Sequence, residues 1–142
     1  MNIEKASFIT AVGAFITALI GSWDAAIITL IIFMAADWIT GLTVAGVFKC
    51  SPKSETGALE SRVGLKGLCR KGAMLLIVII AYRLDLMAGL NGVLRTGAII
   101  TLVCNEALSV LENVSLMGVK YPAIVDRAIR QLLGEKEDKD EK

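Results

Sequence analysis

Apolar residues fill four stretches of the chain, at about 7–23, 25–48, 72–90 and 96–118. Each is long enough for a membrane-spanning helix, which needs ~17–25 residues. The segment between the second and third, KCSPKSETGALESRVGLKGLCRK at 49–71, sets Lys49, Lys53, Arg62, Lys66, Arg70 and Lys71 against Glu55 and Glu60 and reads as a basic loop. After Gly118, Pro122 fits a first helical position. Ile124, Val125, Ala128, Ile129, Leu132 and Leu133 then recur at helical spacing, with Asp126, Arg127, Arg130 and Gln131 on the other face. That pattern predicts a short amphipathic helix, lying on the inner leaflet or packed on the basic loop, before the charged tail EKEDKDEK. The pattern as a whole predicts an all-α integral membrane bundle. Four transmembrane helices occupy 1–118, and the amphipathic helix and tail occupy 119–142.

Insertion energies separate the spans. Residues 25–48 hold eleven Leu, Ile, Val or Phe, worth roughly −3 to −7 kcal/mol, against roughly +3 for Asp37, so this span inserts alone. Residues 72–90 hold nine, roughly −3 to −5 kcal/mol, against roughly +5 to +7 for Arg83 and Asp85 if both are central and unpaired. The third span is therefore marginal and is expected to enter as a hairpin with the fourth. A three-span arrangement stays open and would move one terminus outside. Basic residues crowd the 49–71 loop and the C-terminal segment, while the 86–95 turn offers only Arg95 and the 21–25 turn none. The positive-inside rule makes the loop and C-terminus cytoplasmic, and with four spans the N-terminus also.

Composition agrees: 55% of the 142 residues are hydrophobic before 13 glycines are counted, and mean hydropathy is +0.65. The chain has room for one small bundle and none for a separate soluble enzyme domain. A net charge of +1 points to no nucleic-acid partner. Cys50, Cys69 and Cys104 are odd in number, lack CxxC spacing and have no histidine beside them, which argues against a disulfide framework or a metal site. No A-x-A site follows the Phe8–Ile20 run, so it reads as a first span rather than a cleaved signal. The sequence offers no nucleophile–base pair, phosphate loop or cofactor motif. An Asp37–Asp85 protease dyad is the one enzyme-like option, and it is disfavoured because the two depths differ and Arg83 neighbours Asp85.

Polar residues inside the spans mark the place to look for function, because a mid-depth carboxylate costs roughly 2.5 to 3.5 kcal/mol. Thr101, Asn105, Ser109 and Glu112 step by four, four and three along one face of the fourth span, flanked by Glu106 and Asn113. The stripe either forms a structural polar seam between helices or lines water. Asp37, Arg83 and Glu106 reach similar depth, ~16–18 Å from the ends of their spans. Arg83 is expected to pair with Asp37 or Glu106, the alternative being a snorkelling arginine with Asp85 at the outer surface. Small residues at Ala11, Ala14, Ala18 and Gly21, and at Gly41 and Ala45, allow close helix packing and weakly favour self-association.

Three groups of residues carry a family resemblance. They are Asp37-Trp38-Ile39-Thr40-Gly41 with Ala45, then Ser61-Arg62-Val63-Gly64-Leu65-Lys66-Gly67 leading to Arg70-Lys71, and finally Asn105-Glu106-Ala107-Leu108-Ser109-Val110-Leu111-Glu112-Asn113 with Gly118 and Pro122. In order and spacing, over about residues 20–125, the chain resembles the bacteriophage holins of the toxin-secretion/phage-lysis type. It departs from them at Gly118-Val119-Lys120-Tyr121-Pro122, where members read G-x-P-x-P. The resemblance implies a non-enzymatic protein of the bacterial cytoplasmic membrane that homo-oligomerises in the bilayer. It opens a lesion through which an endolysin, or a toxin, leaves as cargo without required direct binding. Two rivals stay open: a small oligomeric ion or solute channel using Glu106 or Asp37 as a polar ring, and a non-conducting scaffold recruiting a partner through the basic loop.

Overall fold

The computed structural model of the chain describes residues 3–53 and 60–134. Among them there are helices and no strands. In chain order these are α1 (Ile3–Ile20), α2 (Ala25–Thr43, prolonged by a π-helical turn Val44–Phe48), α3 (Ser61–Ala88), α4 (Val93–Leu116) and α5 (Ala123–Leu132). The helices run up and down, so α2 and α4 are parallel neighbours and make the largest contact, with α3 packed antiparallel on α4 and α1 laid on α3. Ile20, Ile27, Leu30, Met34, Val78, Ile99 and Leu102 form the core. Two helices, α2 with its π turn and α4, are long and apolar enough to cross a membrane. The four-span expectation is thus met only in part. α3 differs from those two because Lys71, Arg83 and Asp85 all fall in or beside its apolar half.

The basic loop is shorter than expected, since Ser61–Lys71 is helical and continues into the apolar part of α3. Arg62, Lys66 and Arg70 stand four apart, so they line up on one face and the segment can stay helical despite its charge. Residues 54–59, with Glu55, and the tail EKEDKDEK lie outside the described residues. Pro122 is the residue just before α5, not its first helical position. α4 ends without a proline: Gly118 adopts φ +84°, donates to Ser115 O at 2.9 Å, and lets Val119 N–H reach Val114 O at 3.2 Å. This Schellman closure satisfies the last carbonyls.

One end of the bundle is tied by Arg95, which is buried. Its guanidinium donates to Ile20 O at 2.7 Å, Ser22 O at 2.8 Å and Asp24 Oδ2 at 2.6 Å, so the first residues of α4 hold the α1–α2 turn. Gly21 makes this turn possible, with φ +85° and Tyr82 ring carbons 3.0 Å from where a Cβ would sit. Asp85, at the end of α3, accepts from Leu94 N–H at 3.0 Å and Arg95 N–H at 2.8 Å. It supplies the cap that Gly92 cannot, and its charge meets the positive end of the α4 dipole. Asp24 caps α2 through Ile27 N–H at 3.0 Å.

The Arg95 hydrogen bond, aided by that from Ile27, holds the Asp24 carboxyl below the usual aspartate range against a smaller opposing effect of burial. A lowered folded-state value means that the contribution of Asp24 is present above the unfolded value, about pH 4, and is lost as pH falls through the folded one. Asp24→Asn is therefore expected to unfold at lower temperature than wild type at pH 7 in detergent. The gap should close below about pH 4; a gap constant with pH would remove Arg95–Asp24 from the account.

Candidate functional site

Where α2, α3 and α4 meet, each brings one charge to the same point. Lys71 Nζ donates to Asp37 Oδ2 at 2.6 Å and to Glu106 Oε2, bridging both carboxylates. The side chains of Lys71, Asp37 and Glu106 are 9%, 12% and 3% exposed, so the cluster is largely withdrawn from solvent. Asn113 Nδ2, two turns further along α4, donates to Asp37 Oδ1 at 3.1 Å and Thr40 Oγ1 at 3.0 Å. Lys53 Nζ approaches Asp37 Oδ1 at 3.9 Å from the loop after α2. Desolvating such ions is expensive, and only mutual attraction with hydrogen bonds to the remaining lone pairs offsets it.

The expected partner of these carboxylates was Arg83, and that pairing is overturned. Arg83 is exposed and stands five residues from the end of α3, while Lys71 occupies the position between Asp37 and Glu106. Lys71 reads as a loop residue because it closes a basic run. The structure makes it helical, and its flexible four-carbon stem carries the ammonium to the bundle axis. Its signal in the sequence was that two carboxylates within apolar stretches need a cation and Lys71 borders an apolar stretch. Asp85 does not lie free at the outer surface, since it caps α4, and it shares no cluster with Asp37. Asp37 is held by Lys71 and Asn113 instead, so no aspartate dyad forms.

The polar stripe divides. Glu106 and Asn113 turn into the bundle, whereas Thr101, Asn105 and Glu112 are exposed and Ser109 is half-buried. Thr101 satisfies its hydroxyl on Gly97 O at 3.0 Å, within its own helix. Gly41 lies opposite Asn113, which is 3.7 Å from the place of a Cβ, and Ala45 is buried. Their close approach thus serves packing inside the chain. Ala11, Ala14 and Ala18 of α1 are exposed. Among the described residues, no three histidines, cysteines or carboxylates gather in a way that would hold a metal.

Residues 14–134 match the bacteriophage holin family, so the chain belongs to that family. A protein of the Bacillus phage phi105 bearing the name "Probable holin" is 33% identical over 113 residues, covering 80% of this chain and 78% of its own. An uncharacterized protein of Listeria innocua is 34% identical over 130 residues, covering 92% and 87%. A 14.9 kDa protein in the nagH 3′ region of Clostridium perfringens is 33% identical, covering 90% and 92%. No solved structure matches the chain.

Removing Lys71 leaves two buried carboxylates uncompensated, which costs ~3–5 kcal/mol. Lys71→Met should therefore lower the unfolding temperature sharply, and adding Asp37→Asn with Glu106→Gln should recover much of the loss. Strictly additive effects in that cycle would dissolve the cluster as an energetic unit.

Proposed function

We propose that the chain is a pore-forming holin. It accumulates in the bacterial cytoplasmic membrane, assembles with copies of itself and opens a lesion that releases an endolysin or toxin. In this reading α1 to α4 all cross the bilayer. The apolar part of α3, Gly72–Ala88, spans ~26 Å at 1.5 Å per residue, and Lys71 enters the membrane already paired with two carboxylates. The loop after α2 and the C-terminus face the cytoplasm, because the opposite end offers only Arg83 and the buried Arg95. α5 lies on the inner leaflet, with Ile124, Val125 and Leu132 exposed for it.

The observation that carries the proposal is the outward polar face of α4. Asn105 and Glu112 are exposed on a helix apolar enough to cross a membrane, where contact with lipid is unfavourable. A second copy, or water in an assembled ring, relieves that cost. The monomer is thus tolerable but improved by association, which suits a protein that accumulates before it acts. Exposed small residues on α1 add a second close-packing face.

Induced expression with and without a co-expressed endolysin, following culture density and membrane potential, tests this function. Potential should collapse in both cultures, and turbidity should fall rapidly only with endolysin. Asn105→Leu with Glu112→Leu should delay onset severalfold and lower the yield of crosslinked oligomers. Wild-type timing and oligomer yield would remove the outward face from the mechanism.

Orientation has its own test. With Cys50, Cys69 and Cys104 replaced, Lys53→Cys should resist a membrane-impermeant thiol reagent in intact cells and react after permeabilisation. Labelling from outside would reverse the topology.

A further inference from the structure

Beside the charge cluster, a cavity of about 170 Å³ opens between α2, the following loop and the first three turns of α3. That is roughly ten times the ~10–15 Å³ that admits one water. Its lining includes Lys53, Lys66, Arg70 and Lys71 against Asp37 and Glu60, four cations to two carboxylates. Lys71 is committed to Asp37 and Glu106, so Lys66, Arg70 and the half-exposed Lys53 supply the accessible positive charge. Space comes from Gly41, Gly64 and Gly67; a Cβ on Gly67 would lie 3.9 Å from the ring of Trp38. The walls are amphipathic, with the Trp38 ring, Leu42, Ala45 and Val63 beside the basic groups.

We infer that this cavity binds the headgroup of an anionic phospholipid of the inner leaflet. Lys66 and Arg70 grip the phosphate, Lys53 closes over it, and Trp38 packs on the glycerol. Basic pockets between transmembrane helices on the cytoplasmic side select such headgroups, and Arg and Lys provide both the fork and the point charge that a phosphate accepts. A soluble phosphate would use the cations alone, whereas here Trp38, Leu42, Ala45 and Val63 share the same lining, apolar surface that the glycerol and first acyl carbons of a lipid require. Lipid bound at this place bridges α2 to α3 at the end of the bundle opposite the Arg95 latch. The inference rests on the cytoplasmic placement of this loop proposed above.

The test uses the full chain purified in zwitterionic detergent, with Trp23→Phe so that Trp38 is the one tryptophan left of two. Short-chain phosphatidylglycerol should change Trp38 fluorescence saturably, and short-chain phosphatidylcholine should not. About 0.7 pKd unit is expected from each cation, so Lys66→Gln and Arg70→Gln should each weaken binding about fivefold and together about 25-fold. Arg70→Lys, which keeps the charge but not the fork, should lose less than Arg70→Gln, which separates lost charge from lost folding. Arg62→Gln is the control: it shares the basic stripe but not the cavity lining. An equal loss for Arg62→Gln would reduce the effect to diffuse surface attraction and overturn the site. Glycerol phosphate binding as tightly as the lipid would make it a soluble-phosphate site, and absence of saturable change would exclude it outright. The titration is blind to orientation, so its failure and a failed labelling of position 53 are read separately.

Discussion

A lysine between two carboxylates in the middle of a helical bundle constrains everything around it. Lys71 can reach Asp37 and Glu106 together only if α3 runs antiparallel to α2 and α4 and if those two lie parallel and close. A shift of one residue in any of the three helices would turn its charge by ~100° and leave it against lipid or an apolar core. Where a small buried core meets many exposed apolar side chains, greasy contact alone cannot distinguish one register from another. The ion cluster does, because the wrong register strands a buried charge. Asn113 extends the same control along α4 by bonding Asp37 and Thr40.

A second polar centre acts at the other end with a different economy. Arg95 and Asp85 satisfy backbone groups that the turns expose, closing the α1–α2 corner and the start of α4. Between these two centres the helices are joined by apolar packing. α1 depends most on the Arg95 end, since most of its length, from Phe8 to Ile16, is exposed. Such an arrangement keeps α2, α3 and α4 as a firm unit and leaves α1 the most lightly packed of these four helices.

The polar residues of α4 thus serve two purposes that one stripe in the sequence does not separate. Glu106 and Asn113 face inward and give the chain its own fold, while Thr101, Asn105 and Glu112 face outward. In the pore-forming reading proposed above, that division matters. Inward polar groups would make the single copy self-sufficient, and outward ones would make it better off in company.

Much of this was legible in the chain itself. Helical apolar stretches, the carboxylates Asp37 and Glu106 set within them, the four-residue steps on α4, and the family all follow from local spacing and residue chemistry, which do not depend on neighbours. Other features depended on them. The extent of α3 was hidden because Arg62, Lys66 and Arg70 look like a loop until they share a helix face, and with it was hidden Lys71. Arg83 seemed the natural counter-ion by depth, but depth along a helix says nothing of the direction a side chain points. Whether a polar group faces a partner or the outside is decided by the rotation of each helix about its own axis. That rotation is set when three helices settle their contacts at once, and no single stretch of sequence records it.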